Sequence, residues 1–146
     1  MSLQEWLDNS WVTKVTPSAR AVKDHLAIAD RELEDGAAVK SFDGKFGHAY
    51  DAVRALCEAA INAAGYAAHK GDRQHERLIL SLKFTLGAEC PDDVDYLDRC
   101  RRLRHKAKYE RSGVVSRRDA DQLYEAAKRL RSAVQAWLER EHSHLV

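Results

Sequence analysis

What this sequence of 146 residues lacks argues against several classes of protein. No apolar run approaches the roughly 20 residues that a membrane-spanning helix needs, and the N-terminus has no basic start followed by an apolar segment, as a secretory signal would. The three cysteines form no Cys-x-x-Cys pair, so we expect neither a disulfide framework nor a thiolate zinc site. We therefore predict a protein of the reducing cytoplasm with no membrane segment.

Sites with a recognisable spacing are also missing. Seven histidines are scattered along the chain without a His-Glu-x-x-His motif, and no glycine-rich phosphate loop follows a strand. Cys100 lies among arginines, which would lower a thiol pKa, but its spacing from Val94 and Leu97 is that of a buried position. We accordingly predict no metal, no cofactor and no cysteine nucleophile.

Proline is rare, with only Pro17 and Pro91, and the chain is rich in residues that favour helices. With 45% hydrophobic and 32% charged residues, its composition is that of an ordinary globular protein. A chain of this length is most simply one domain. We predict a single helical domain over residues 1–146, with a short lead-in over 1–15 and a bundle over about 16–140.

Apolar residues recur every three or four positions, which is the period of an α-helix. Thr16-Pro17, Pro91 and Ser116 are helix-start signals, Ser116 having Asp119 at the capping-box distance. Asp72 is a candidate cap for a third helix that would end at Gly87. The predicted core residues are Val22, Leu26, Leu33, Val53, Leu78, Ile79, Leu82, Leu97, Leu123, Leu130, Val134 and Trp137.

These features predict an all-α fold, an antiparallel up-and-down bundle of four long helices plus a short N-terminal helix over residues 3–9. Glycines 36, 65, 87 and 113 are candidate helix ends. No strand-like alternation is visible, and residues 66–73 are expected to form a connecting loop.

Positive charge is concentrated in one stretch. Between Arg101 and Arg118, eight Lys or Arg residues stand against one acid, Glu110, which makes this segment +7 and leaves −6 for the remainder of a chain whose net charge is +1. Such a patch attracts polyanions. Part of it has a structural explanation, because basic residues near a helix C-terminus interact favourably with the helix dipole, at a few tenths of a kcal/mol each.

The residues Arg104-His105-x-x-x-Tyr109 in this stretch resemble the motif helix of the HEPN family, small helical bundles found in prokaryotic toxin–antitoxin and defence systems. The family motif is an arginine, a polar residue, a few further residues and a histidine. Arg104 and His105 match the first two positions, and Tyr109 stands in the place of the final histidine. The resemblance extends more loosely from about residue 16 to residue 138 and implies a HEPN-like bundle.

The resemblance implies a metal-independent reaction on RNA at a cleft, usually between two protomers. The RNA 2′-hydroxyl attacks the adjacent phosphate, the arginine neutralises the phosphoryl oxygens, and the histidine moves a proton. A tyrosine at position 109 can stack on a base, but a phenol, with a reference pKa of about 10, is poorly matched to general-base work. His105 could supply the imidazole, although neighbouring residues on a helix point about 100° apart.

Three functions remain open. The first is a HEPN-like RNA- or nucleotide-binding module, associated with toxin–antitoxin or defence systems, that has lost the catalytic histidine at position 109. The second is a metal-independent endoribonuclease toxin that uses Arg104 and His105. The third is an interaction module whose basic face meets an acidic protein. We favour the first, because Tyr109 occupies the position where a histidine is expected.

The candidate site residues follow from the basic segment and the resemblance. The catalytic candidates are Arg104, His105 and Tyr109, and the nucleic-acid-binding candidates are Arg101, Arg102, Arg104, Lys108 and Arg111. The expected partners are RNA or a nucleotide, a second copy of the chain with the basic helix near the interface, and, from the resemblance alone, a nucleotidyltransferase-type antitoxin.

Overall fold

A computed structural model describes the whole chain, from Met1 to Val146. Six α-helices and two short strands follow one another along it. They are α1 (Leu3–Asp8), β1 (Val12–Lys14), α2 (Ala19–Ala38), α3 (Phe42–Ala63), β2 (Tyr66–Ala68), α4 (Gln74–Leu80), α5 (Val94–Tyr109) and α6 (Arg117–Glu141). Three single 3₁₀ turns lie at Ser81–Lys83, Gly87–Glu89 and Ser143–Leu145. The fold is all-α, as the sequence predicts.

Helix α3 is the centre of the molecule. It packs against α2 on one side and α6 on another, and α4 and α5 also contact it. Its many alanines allow neighbouring backbones to approach closely, while Phe46, Leu56 and Ile61 fill the space between helices and are fully buried. All of the predicted core residues are buried except Leu33, which is only partly covered. Periodicity thus identified the buried helix faces correctly.

The predicted third helix over residues 72–87 is wrong in length. α4 has only seven residues, and two 3₁₀ turns replace its second half. The Ser81 hydroxyl donates a hydrogen bond to the Leu78 carbonyl at 2.6 Å, and such side-chain bonds compete with the helical ladder. Asp72 does not cap α4, because Arg73 occupies the cap position without a side-chain bond.

The expectation of no strands is also wrong. β1 and β2 form an antiparallel pair in which Val12 lies opposite Ala68 and Lys14 lies opposite Tyr66. Each strand has three residues, which is too short for alternation to be visible in the sequence. The pair joins the N-terminal lead-in to the segment just before α4, where a loop was predicted.

Several helix ends differ from the predicted positions by a few residues. Ser18, rather than Thr16, caps α2 by accepting a hydrogen bond from the Ala21 amide at 3.1 Å. α2 continues past Gly36 to Ala38, and α5 begins at Val94 rather than at Pro91.

The capping box of α6 is present as predicted, with Ser116 and Asp119 bonded reciprocally. Gly113 has a φ of 76° and separates α5 from α6. No helix combines the length and the apolar character that a membrane crossing requires.

Candidate functional site

A cleft of about 500 Å³ opens where α3, α4 and α5 meet. Its lining contains only two hydrophobic residues. The lining residues are Tyr50, Asp51 and Arg54 from α3, Gly71, Asp72, Gln74 and His75 around the start of α4, and Arg101, Arg104, His105, Lys108 and Tyr109 from α5. A polar cleft of this size suits a charged or hydrogen-bonding ligand better than an apolar one.

Helical spacing accounts for the α5 contribution. Val94, Leu97 and Cys100 are buried and hold the first half of the helix against the core. In the later half, Arg104 and His105 each lie three or four residues from both Arg101 and Lys108, so that the four side chains form one stripe along the helix. Arg104 and His105 are neighbours on this continuous helix, and yet both line the cleft, so no kink is needed to bring both side chains to it.

On the facing side of the cleft, α3 makes room for Arg104. A methyl group added at Gly47 would lie 3.2 Å from Arg104 Nε, so the guanidinium packs directly against the bare helix backbone. One and two turns further along α3, Tyr50, Asp51 and Arg54 continue the same face. The absence of a side chain at Gly47 therefore leaves room for the guanidinium of Arg104 at this place.

Three polar groups that line the cleft have no hydrogen-bond partner within the protein. They are the Tyr50 hydroxyl, Arg54 Nε and Arg104 Nε, and each of these atoms is buried. An unsatisfied buried polar group costs about 1–3 kcal/mol, so unpartnered groups of this kind are rare in native proteins. All three atoms can donate a hydrogen bond.

Positive charge outweighs negative charge in the cleft. Four cations (Arg54, Arg101, Arg104 and Lys108) face two carboxylates (Asp51 and Asp72), a formal charge of +2 with the histidines neutral. Not every cation is equally available. Arg101 lies 2.8 Å from Asp98 and 3.6 Å from Glu76, whereas Arg104 and Lys108 form no ion pair within 4.0 Å. The least compensated charges are therefore those of Arg104 and Lys108.

An aromatic surface borders the charged part of the cleft. The rings of His105 and Tyr109 are 4.9 Å apart and tilted by 45°, and Lys108 Nζ lies 5.3 Å from the centre of the Tyr109 ring. Tyr109 is 66% exposed. Two adjacent rings beside cationic groups are the arrangement on which a nucleobase can stack while its phosphate binds the cations.

The cleft continues into a smaller cavity of about 280 Å³. Asp51, Arg104 and Lys108 line both spaces, and the first two turns of α3 close the smaller one through Asp43, Gly44, Gly47 and His48. Arg104 thus lies at the junction between the two cavities.

His75 is a cleft residue that sequence reasoning did not connect with the site. Its ring centre is 6.2 Å from that of Tyr50. Partial burial of its ring at the cleft lowers the pKa of His75, and the nearby Arg54 lowers it further, while Asp51 opposes the shift. These influences favour the neutral form of the imidazole. In the sequence His75 is simply one of several scattered histidines, and only its position in the first turn of α4 could have drawn attention to it.

Two of the predicted nucleic-acid-binding residues lie outside the cleft. Arg102 is exposed and lies 3.5 Å from Asp98. Arg111 lines a separate depression of about 570 Å³ together with Leu103 and Lys106. The other predicted site residues, Arg101, Arg104, His105, Lys108 and Tyr109, come together in the cleft.

The thiol of Cys100 has no sign of activation. Burial raises its pKa to about 11, which outweighs the influence of the neighbouring arginine. Cys100 packs against the core, and the residue is 5% exposed. At neutral pH Cys100 is therefore a protonated, structural residue rather than a nucleophile.

One group of possible metal ligands lies elsewhere, between α2 and α3. Ligand atoms of Glu32, Asp35 and His48 are within 4.8 Å of one another. His48 Nδ1 is already 2.6 Å from a Glu32 carboxylate oxygen. Burial alone would raise the pKa of Glu32, but hydrogen bonds with His48 and Arg31 outweigh it and lower the pKa. The contact between His48 and Glu32 accounts for the proximity of those two residues without a metal ion.

The chain matches no protein-family model, and searches of curated proteins and of solved structures find no match either. The functional interpretation therefore rests on the geometry and chemistry of the cleft.

Proposed function

We propose that this chain is an RNA- or nucleotide-binding helical module with a HEPN-like bundle, and that the cleft between α3, α4 and α5 is its binding site. The observation that carries the proposal is the set of unpartnered groups on Tyr50, Arg54 and Arg104 in a cleft with an excess of positive charge. Phosphate oxygens accept hydrogen bonds from guanidinium groups in a two-pronged geometry. A phosphate-bearing ligand would satisfy both the charge and the unpartnered donors.

The bordering rings favour a nucleotide or single strand over a simple phosphate. His105 and Tyr109 lie beside Lys108 at the edge of the cleft, and stacking of one base on an aromatic side chain contributes about 1–3 kcal/mol. A duplex would not expose its bases for such stacking. The resemblance of Arg104-His105-x-x-x-Tyr109 to the HEPN motif supports the same ligand class and an association with toxin–antitoxin or defence systems.

Binding can be tested with a labelled single-stranded RNA whose fluorescence anisotropy is measured in EDTA at several salt concentrations. The affinity should fall with salt by roughly 0.7 log units per log unit of salt for each phosphate contacted. Arg131→Ala, in an arginine of α6 that is paired with Asp30 and does not line the cleft, serves as the matched control for Arg104→Ala. The proposal fails if binding is undetectable at millimolar protein and low salt, or if Arg104→Ala leaves a measured affinity unchanged.

A second candidate function is a metal-independent endoribonuclease, and a specific observation favours it. Arg104 and His105 both reach the cleft although they are adjacent on α5, so a phosphate clamp and an imidazole are available at one place. Cleavage of the same RNA in EDTA, with fragments that depend on Arg104, would identify this activity.

The assembly remains part of the proposal. We expect a homodimer with α5 near the two-fold axis, which would place two basic segments close together and require an acidic group or a bound anion between them. A nucleotidyltransferase-type antitoxin as partner follows only from the family resemblance. Light scattering at tens of micromolar protein tests the dimer, and a monomer there would contradict it.

A further inference from the structure

The smaller cavity beside the cleft is lined by a carboxylate that uses only one of its oxygens in the fold. Asp43 lies in the first turn of α3, and its Oδ2 accepts a hydrogen bond from the Gly113 amide at 3.0 Å. Its Oδ1 is buried and has no hydrogen-bond partner, which is rare for a polar atom in a native protein. The Gly113 amide thus fixes the carboxylate without satisfying its second oxygen.

Opposite charges share this cavity without pairing. Asp43, Arg104 and Lys108 all line it, but none of the three forms an ion pair within 4.0 Å. The other carboxylate of the cavity, Asp51, lies 3.9 Å from Arg54, so Asp43 is the less compensated acid. Charges held in a protein interior for a structural purpose are normally paired with one another. A ligand that carries both an anionic group and hydrogen-bond donors would match this arrangement.

The spacing along α3 separates the acid from the donors of the cleft. Because an α-helix rises 1.5 Å per residue, Asp43 lies about 6 Å along the axis from Gly47 and about 10 Å from Tyr50. Arg104 packs against Gly47 and so lies between the acceptor of Asp43 and the Tyr50 hydroxyl. A single nucleotide, with its base at one end and its phosphate at the other, can span this distance.

The smaller cavity suits one base rather than a whole ligand. Its volume of about 280 Å³ lies just below the range of roughly 300–1,000 Å³ that is usual for a complete ligand pocket. Two of its lining residues, His48 and Arg104, have flat side chains, and both imidazole and guanidinium planes can stack on a base. A hydrogen bond of 2.6 Å to Glu32 holds the His48 ring in place.

Guanine is the base whose hydrogen-bonding edge matches a carboxylate. An ionised carboxylate only accepts hydrogen bonds, and the Watson–Crick edge of guanine presents two adjacent donors, N1–H and the exocyclic amino group. Adenine and cytosine have an acceptor nitrogen beside their amino group, and uracil has a carbonyl oxygen on each side of its N–H. Those acceptors would face the carboxylate oxygens and leave polar atoms without partners.

We propose that the smaller cavity is a guanine subsite, in which Asp43 accepts hydrogen bonds from the base and Arg104 binds the adjacent phosphate. The proposal rests on the proposed function and deepens it, because the same site then binds single-stranded RNA with a preference for guanine at one position. A neighbouring base of the strand can stack on His105 and Tyr109 at the other edge of the cleft.

Four labelled RNA strands made of uridines and differing only at one central position test the preference. The central base is guanine, hypoxanthine, adenine or uracil, and fluorescence anisotropy in EDTA measures the affinity of the wild-type chain for each strand. The guanine strand should bind roughly 5- to 150-fold more tightly than the adenine or uracil strand, as expected for one two-pronged base contact. Hypoxanthine lacks the exocyclic amino group, so its strand should have an intermediate affinity.

Asp43→Asn tests the residue itself. The amide oxygen can keep the bond from the Gly113 amide while the NH₂ group, a donor, takes the place of the unpartnered oxygen. The preference for guanine over adenine should fall to within about twofold. Loss of a negative charge should tighten binding of all four strands alike, so the ratio between strands is the readout. Asp121→Asn, in an exposed carboxylate of α6 that lines neither cavity, should retain the preference.

The outcomes separate the subsite from the proposed function. Equal affinity of the wild-type chain for the guanine and adenine strands overturns the subsite and leaves RNA binding standing. This comparison needs no variant, so it decides the matter even where Asp43→Asn is too unstable to measure. A guanine preference that persists in folded Asp43→Asn overturns the assignment to Asp43. Failure of the wild-type chain to bind any of the four strands overturns both proposals.

Discussion

Arginines on two faces of this molecule have different partners. On α6, Arg129 and Arg131 each meet a carboxylate with two nitrogens, those of Asp92 and Asp30, at 2.7–3.2 Å. In the cleft, Arg104 forms no ion pair within 4.0 Å, and its Nε has no hydrogen-bond partner. A paired guanidinium holds elements of the fold together, whereas an unpaired and half-buried one retains its charge and donors for a ligand.

The basic residues of α5 also differ in how far neighbouring carboxylates compensate their charge. Arg101 and Arg102 share Asp98, one turn earlier on the same helix, and so their charge is largely compensated. Lys108, further along, forms no ion pair within 4.0 Å, and its Nζ lies 5.3 Å from the centre of the Tyr109 ring. A count of charges along the sequence treats these residues alike, but their partners in the structure make Arg104 and Lys108 the stronger binding candidates.

The largest effect is expected from a core substitution that destabilises the packing beneath both the paired arginines of α6 and the cleft. Leu130 of α6 is 1% exposed in the core that both faces share. Leu130→Ala should lower the free energy of unfolding by about 2–5 kcal/mol, because a large side chain is removed from a packed interior. Urea denaturation measures the loss. A change below about 1 kcal/mol would mean that the surrounding core relaxes into the cavity at position 130 far more completely than usual.

The next largest effect should distinguish the two kinds of arginine directly. Arg104→Ala should weaken binding of single-stranded RNA by about ten- to hundredfold, which is the loss of hydrogen bonds to a charged group, about 1.5–3 kcal/mol. Arg104→Lys keeps the charge but loses the two-pronged geometry, so an intermediate affinity is expected. Arg131→Ala should leave the affinity unchanged, and equal losses in both variants would remove the distinction between paired and unpaired arginines.

A smaller effect tests whether Gly47 sets the position of Arg104. In Gly47→Ala the new methyl group would lie 3.2 Å from Arg104 Nε, and the flexible guanidinium should shift by a few tenths of an ångström. Binding should weaken while the free energy of unfolding stays the same or rises by about 0.5–1 kcal/mol, since alanine is a better helix former than glycine. A parallel loss of stability and affinity would indicate general damage to α3 instead.

The smallest effect is expected for the paired face itself. Arg131→Ala and Asp30→Asn should each cost about 0.2–1 kcal/mol of unfolding free energy, as exposed ion pairs usually do. High salt should reduce this difference, because it screens exposed charges. Thermal unfolding at low and high salt measures it. A cost well above 1 kcal/mol would show that the ion pair contributes more than its exposure implies.

Local sequence determined the helices and their buried faces. The apolar spacing of α2, α3, α5 and α6 and the Ser116–Asp119 cap depend on residues three or four positions apart, and the sequence displays such relationships directly. The stripe of Arg101, Arg104, His105 and Lys108 on α5 follows from the same rule. The short strands and the interruption of the third predicted helix do not follow from local spacing. The strands depend on the pairing of β1 with β2, and the interruption involves the Ser81 hydroxyl.

Tertiary structure alone decided which side chains share the cleft. Tyr50, Arg54 and His75 lie tens of residues before Arg104 in the chain, and nothing in their local spacing connects them with it. Packing of α4 and α5 against α3 brings them together and buries the polar atoms that remain without partners. Burial and the surrounding charges, which depend on the whole fold, also set the pKa of His75. The sequence by itself therefore determined the helical framework and its basic segment, and long-range packing determined the site.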